Sequence, residues 1–430
     1  MNKTLLFIKY LLIMTKLKGF FCRKIGQHRT RVLVQKLYAT MNSDTLDKLQ
    51  VFLFILLAFW LPLSISLSQT FYVLAFAVWL TKMVASKKPF RRTKLEIPII
   101  VFAIVYIAAV LFSPSPSESA KILKKPILVG LFLVLTNSLD SEIEKRRLID
   151  VWLLGAIIAS AWTIVDYFRG TPRPGGLFGC ITFGHFALMF LGVSLSLIGL
   201  KNYKRTSILS VLTFIVGIFA LFLTCTRGAW IGFIAGLALF FIIKRKWLFL
   251  ATSTVTLILI VSVLFTYFPN SGPGKVVTSL LRPFDKQVPR VLDSNLGRWY
   301  KWKASWEMFT EHPLFGVGPH QFQKELPNYL SEEVKAKIFN HRTFGHAHSI
   351  YFDYLATMGI AGFLALLFFF FTVFRLLISK YKSCDSTFDK SLVLGVLIAV
   401  ISFCIGGLTH QSSHDSEILL NMCFLLGLVL

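Results

Sequence analysis

Apolar runs of roughly 17–25 residues, the length that crosses about 30 Å of hydrocarbon as a helix, recur from residue 51 to the C-terminal end of this chain. No other feature constrains the fold as strongly. A membrane β-barrel would instead alternate apolar and polar residues in segments of about ten, and no such pattern is present. With 55% of its 430 residues hydrophobic, the chain has too little polar surface for a water-soluble domain. The expected class is all-α: a polytopic membrane protein of about twelve transmembrane helices. The apolar runs place them at 51–68, 71–86, 97–112, 126–139, 148–168, 181–200, 207–225, 228–243, 247–268, 349–378, 391–409 and 415–430, the fourth being the shortest.

A formal charge of +25 would suggest nucleic acid in a soluble protein. Here the basic residues gather in short inter-helix loops, so the expected partners are anionic lipid headgroups and no nucleic acid is expected. Lys82 to Lys94, Lys145-Arg146-Arg147, Lys201 to Arg205, Lys244-Arg245-Lys246 and Arg375 to Lys390 fall on alternate turns. Ser68 to Thr70 and Thr409 to Glu417, on the other turns, carry no Lys or Arg, although Lys121, Lys124 and Lys125 run against the trend. By the positive-inside rule both termini of the expected inner-membrane protein are cytoplasmic. The six cysteines are scattered without metal-like or paired spacing and read as apolar fillers.

Four stretches organise the chain. Residues 1–50 are basic and partly apolar, with Lys3, Lys9, Lys16 and Lys18 interrupting the apolar run; an amphipathic cytoplasmic segment and a true start at Met41 both remain open. Residues 51–268 carry nine spans, and 348–430 carry the last three. Between them, 269–347 form an outer loop far longer than the usual helix connection of roughly 2–8 residues. After Asn295 it has a helical pattern, with Trp299, Trp302 and Trp306 followed by Phe309. A helix lying in the headgroups and an aromatic wall facing substrate both fit.

A few polar residues need a reason. Arg227, in TCTRGAWIG, sits where one apolar run meets the next; it can snorkel or hold an anion. Arg298, in NLGRWYKW, stands where the loop helix is expected to open, so its guanidinium would join exposed backbone N–H groups in an arrangement suited to phosphate. Arg173 lies in the Pro/Gly-rich GTPRPGGLFG, ahead of His185, and reads either as a solvated turn residue or as part of a site. His346 and His348, in GHAHS, open the tenth span on the outer face. Asp353 is the only acidic residue near enough to complete a zinc site, so no metal is expected; a neutral imidazole there suits general-base work. His410 and His414, in HQSSH, read as interfacial decoration. With no P-loop, no GxGxxG and no soluble-domain DxD pair, no cofactor is expected, and any activated donor must already be in the membrane.

Three motifs occur in order: the TRG arginine, then GRWYKWKASWEMFTEHPLFGVGPHQF through the long loop, then HAHSIYFDYLATMGIAGF at the start of a helix. Together they resemble the O-antigen ligase family and its wider relatives, the O-antigen polymerases and O-linked oligosaccharyltransferases. The resemblance covers about residues 170–365 at motif level. It implies a metal-independent glycosyltransferase on the periplasmic face, moving a glycan from undecaprenyl diphosphate to the lipid A–core oligosaccharide. It further implies that Arg227 and Arg298, with Arg173 less firmly matched, bind the diphosphate and that His348 is catalytic, with support from His346, Ser349, Trp299 and Trp302. Two positions depart from the family: Ser349 stands where Asn is usual after the histidine, and Thr357 where an acidic residue is frequent. Ser349 can still hydrogen-bond; Thr357 weakens any carboxylate-assisted mechanism. Fixed guanidinium groups can stabilise a diphosphate leaving group without a metal, and His348 can take the acceptor proton in a displacement that inverts the anomeric carbon. Apolar walls between helices would hold the isoprenoid. Ligase is the expected activity. An O-antigen polymerase shares the donor, whereas a protein O-oligosaccharyltransferase usually continues into a further C-terminal domain. A lipid-linked glycan transporter would be expected to show internal repeats, and none is evident.

Overall fold

The computed structural model describes residues 43–86, 90–281, 289–338 and 345–430, so most of the N-terminal 1–50 segment lies outside the described residues. Those described contain helices and no strand. In chain order the helices are α1 (Ser43–Trp60), α2 (Ile65–Ser86), α3 (Glu96–Leu111), a 3-10 helix (Ala120–Val129) running into α4 (Gly130–Thr136), α5 (Glu142–Phe168), α6 (Cys180–Leu197), α7 (Lys204–Leu223), α8 (Arg227–Ile243) and α9 (Trp247–Tyr267). Then come α10 (Gly272–Leu281), α11 (Pro289–Glu311), α12 (Glu332–Ile338), α13 (Ile350–Ser383), α14 (Thr387–Gly406) and α15 (Ser416–Val429). Among the described residues seven helices are long and apolar enough to cross a membrane, and four shorter apolar ones lie among them. The chain is an all-α polytopic membrane protein.

The twelve expected elements are all present, with two differences. The first helix starts at Ser43 rather than 51 and ends at Trp60. Pro62 lacks an N–H and disfavours helix in the residue before it, which moves the turn to Leu61–Ser64 and puts Ser68 to Thr70 inside α2. The fourth element is not one continuous helix: its first half is 3-10 through Pro126, and only seven residues of α-helix follow.

The core is mostly Leu, Val and Ala, with a cluster of aromatic rings about Trp152. Trp152 of α5 is fully buried, packed against Phe186 and Phe424. Its indole N–H donates to Asn421 Oδ1 at 2.8 Å, and the Asn421 amide donates to the Leu61 carbonyl at 3.3 Å. One buried amide thus joins α5, α15 and the turn after α1, leaving none of these groups unsatisfied in a medium without water.

The two ends of the bundle differ. At one end Glu142 accepts from Tyr203 Oη at 2.6 Å and from Ser386 Oγ, and Lys145 pairs with Asp389 at 3.8 Å. This gathers the basic loops around 145, 203 and 386 on one side. The long loop and the turns near 173, 225, 348 and 410 meet at the opposite end.

Two close contacts shape that opposite end. On α8, Gly228, Gly232 and Gly236 repeat every four residues and face α14; a Cβ at Gly228 would lie 2.3 Å from Thr409 Oγ1, and one at Gly232 2.4 Å from the Ser402 carbonyl oxygen. Small residues at this spacing let two membrane helices touch backbone to backbone. The second contact breaks α13. Gly359 has φ 61°, ψ −161°, a region essentially restricted to glycine. The loop segment Pro313–Gly318 inserts at the break: Val317 N–H donates to Ala356 O (2.9 Å) and Gly318 N–H to Thr357 O (3.0 Å), while Ile360 and Ala361 donate to Pro313 O (2.8 Å) and Leu314 O (3.3 Å). The loop thus satisfies the carbonyls of Ala356 and Thr357 and the N–H groups of Ile360 and Ala361 that the break releases, the condition under which irregular backbone survives at membrane depth. A small second core of Ala304, Met308, Val317, Phe322, Ala347 and Ala356 then seals the loop onto α13.

Candidate functional site: clustered cations beside a group of imidazoles

The start of α8 brings the first cation. Cys225, at φ 53°, turns the chain sharply between α7 and α8, and Arg227 follows as the first residue of α8. Arg173 braces the same turn, with Nε and Nη2 each 3.5 Å from the carbonyl oxygens of Thr224 and Cys225. Arg227 Nη1 donates to Asn295 Oδ1 at 2.6 Å, tying α8 to the loop helix α11.

Arg298 does not sit at a helix N-terminus as the sequence suggested. Pro289 suits the first turn of a helix, where its missing N–H costs nothing, and α11 begins there, placing Arg298 more than two turns inside. Its guanidinium therefore acts from a helix face, and the exposed N–H groups of the first turn are elsewhere. Asn295, Arg298 and Lys301 recur every three residues on α11, and Lys301 is 5% exposed. Burial, followed by the charges of Arg227 and Arg173, lowers the Arg298 pKa to about 9. Burial and Arg298 lower that of Lys301 to about 8. Sequence reasoning passed over Asn295 and Lys301, although their three-residue spacing about Arg298 was readable.

The tryptophan stripe divides. Trp299 and Trp306 are exposed. Trp302 stacks on Phe352 of α13, ring centroids 5.6 Å apart and 14° between planes, so α11 turns one tryptophan inward and two outward.

The GHAHS turn leads into α13. Ser349 is the N-cap, its Oγ accepting from Phe352 N at 3.4 Å, a role open to Ser as well as Asn. His348 has φ 56°, an uncommon backbone for a non-glycine residue. His346 Nδ1 accepts from the His348 backbone N–H at 3.1 Å. Asp353, 2% exposed, accepts from Ala347 N (3.4 Å) and from Gln411 Nε2 (2.7 Å). Burial first, then His346, Lys301, Arg298 and Arg227, hold the His348 imidazole well below its ordinary range, at about 2. Burial likewise lowers His346 to about 4, with Asp353 pulling the other way.

His410 is not surface decoration. The turn after α14 folds inward where α8 and α14 touch, and His410 is 6% exposed. Its Nδ1 is 3.4 Å from His348 Nδ1, and its ring lies 4.7 Å from His346 and 5.2 Å from His185. His414 is also drawn in, with Nδ1 3.9 Å from Asp353 Oδ2. His346, His348 and His410 bring ligand atoms within 4.8 Å of one another, a third imidazole that sequence spacing could not supply. A tetrahedral zinc ion with Zn–N of about 2.0–2.1 Å needs nitrogens about 3.3 Å apart. The cluster would have to contract, and Arg227, Arg298 and Lys301 beside it oppose a dication.

No curated protein matches the chain. Residues 212–367, from α7 through the long loop into α13, match the family model described as O-Antigen ligase. That stretch carries Arg227, Arg298, His346 and His348, and over it the chain is similar to the O-antigen ligase family.

Proposed function

We propose that the protein is an O-antigen ligase of the bacterial inner membrane, transferring a glycan from undecaprenyl diphosphate to lipid A–core at the periplasmic face. The similarity of residues 212–367 to the O-antigen ligase family supports a ligase- or polymerase-type glycosyltransferase of lipopolysaccharide-related processes. The observation that carries the finer reading is the gathering of Arg227, Arg298 and Lys301 about a neutral His348, at the end of the bundle away from the basic loops. Like charges held together under partial burial call for an anion, and a diphosphate supplies one. Its isoprenoid has a place as well. An apolar cavity of about 570 Å³ between α7, α8, α9 and α10 starts at Trp230, one turn below Arg227, and runs past Ile234 and Phe241. α9 buries none of its residues, leaving that side open to lipid.

In this reading the acceptor hydroxyl attacks the anomeric carbon as His348 takes its proton. The bond from that carbon to the diphosphate oxygen breaks, the electron pair leaves with undecaprenyl diphosphate, and the arginines stabilise the departing charge. The bound diphosphate also offsets the cations that depress His348, so its basicity rises when the donor is in place.

The test is transfer by purified protein from undecaprenyl diphosphate-linked glycan to lipid A–core in the presence of EDTA, with His348→Ala and Arg227→Ala alongside. Product with wild type and its loss in both variants is expected. Longer lipid-linked chains made from donor alone would replace ligase by polymerase. Movement of the donor between leaflets with no new glycosidic bond would replace the enzyme by a transporter.

A further inference from the structure

We infer that His410 is a positioning residue of this site: its Nδ1 accepts the hydrogen on Nδ1 of His348, leaving Nε2 of His348 as the base. The inference rests on the general-base role proposed for His348 and adds to it the group that selects its tautomer. A neutral imidazole has one donor nitrogen and one acceptor nitrogen. A base needs its lone pair toward the acceptor hydroxyl, so the other nitrogen carries the hydrogen and requires a partner that accepts. The hydrogen-bonding neighbour of His348 Nδ1 is His410 Nδ1, at 3.4 Å. If His410 donated across that contact, the hydrogen of His348 would move to Nε2 and the base would be lost. A contact this long is compatible with a bond that tightens when substrate binds.

The neighbouring imidazoles leave this pair as the one to be decided. His346 Nδ1 receives the His348 backbone N–H at 3.1 Å, so neutral His346 carries its hydrogen on Nε2. His185 Nδ1 lies 3.0 Å from the Ile181 carbonyl oxygen, which only accepts, so its hydrogen is on Nδ1. Both tautomers are thus set by backbone. His410 is also held in register with the GHAHS turn. Ile350 N donates to Gly407 O at 2.8 Å, and the adjacent Gln411 donates to Asp353, which also receives Ala347 N. Two ties, a backbone hydrogen bond on one side of His410 and a side-chain hydrogen bond on the other, fix its distance from His348. A side chain packed there only for bulk would not need them.

The experiment compares His410→Phe, which keeps a ring but no acceptor, with His410→Asn, whose Oδ1 stands near the position of Nδ1, and His410→Gln, whose amide falls nearer Nε2. Transfer to lipid A–core is followed with kcat and donor KM separated. The phenylalanine variant is expected to lose about 10²-fold in kcat, the scale of general-base assistance, with donor KM changed less than about twofold. The asparagine variant is expected to recover most of the loss, and more than the glutamine variant does. Wild-type kcat in His410→Phe would overturn the inference. So would equal activity of the Asn and Gln variants, a comparison that stands even if the Phe variant does not fold. Absence of any transfer by wild type would remove the ligase reading first, and the base with it. If wild type elongates lipid-linked chains instead, the same ratios read His410 in that reaction.

Discussion

Replacing Gly359 by alanine tests whether the long loop is built into the membrane helix or merely lies over it. In an unbroken helix Ile360 N–H would bond Ala356 O and Ala361 N–H would bond Thr357 O. The observed break gives all four groups to Pro313–Gly318. Alanine has two ways to respond. It can hold the backbone at φ 61°, ψ −161°, with its Cβ 2.5 Å from both C and O of Leu314; the conformation alone costs about 1–3 kcal/mol, and the overlap adds to it. Otherwise the helix closes and recovers two bonds while the loop loses four, a net loss of two at about 1 kcal/mol each. Loop groups left buried without partners raise that figure. The cheaper route still costs about 2–4 kcal/mol. The assay is thermal unfolding in detergent with limited proteolysis of residues 289–338. The variant should melt earlier, its loop should be cut faster, and glycan transfer should fall because α11 carries Arg298. An alanine variant with wild-type melting and wild-type protease resistance would refute the inserted-loop account.

Two further outcomes follow from charge. Removing Lys301, whose charged form is disfavoured by burial and by Arg298, should leave the melting temperature of Lys301→Met unchanged or higher while raising the donor KM; lower stability with unchanged KM would contradict its proposed place among cations that bind the diphosphate. Acidification should destabilise the fold. Burial holds His346 at about 4 and His414 at about 3, and keeps His348 and His410 far below 6.5, so the unfolded chain binds more protons than the folded one once pH drops below about 6.5. Stability is then whole above that pH and is lost as pH falls toward the folded values, by up to about 1.4 kcal/mol per pH unit for each imidazole. Asp415, raised to about 6 by burial, works in the opposite sense and offsets part of the loss. Melting in detergent at pH 7.5 and 5.5 should show the loss, and a flat or rising profile would contradict it.

Helix count and order were legible because apolar length is a local property: a run either spans the hydrocarbon or does not. Arg227 and His348 were legible because each stands at the end of an apolar run, where a polar residue is conspicuous. What escaped depends on contacts between distant segments. Pro62 moved α1 by eight residues, a local signal that the apolar run from 51 to 68 concealed. The start of α11 at Pro289 changed what Arg298 does. The break at Gly359 lies inside a continuous apolar run, and only the loop that fills it shows why glycine is there. His410 looked like a turn residue because its partner is 62 positions away.

The placement of His410 also shows how the site is assembled. The family-matched stretch supplies Arg227, Arg298, Lys301, His346 and His348, whereas Arg173 and His410 lie outside it. Their meeting depends on backbone approach more than on side-chain attraction. The α8 glycines let the start of α8, with Arg227, press against the end of α14, from which His410 projects. A Cβ at Gly228 would meet Thr409 Oγ1 at 2.3 Å and Gly406 O at 3.0 Å, so any larger residue there must move one helix off the other. The loop inserted at Gly359 then sets α11, and Arg298 with it, against α13. Apolar side chains gain little from each other over lipid in a membrane, so close packing and satisfied backbone groups must carry this convergence. The glycines of α8 and α13, none of which bears a reacting group, therefore govern the distance between the cations and the imidazoles as directly as those side chains do.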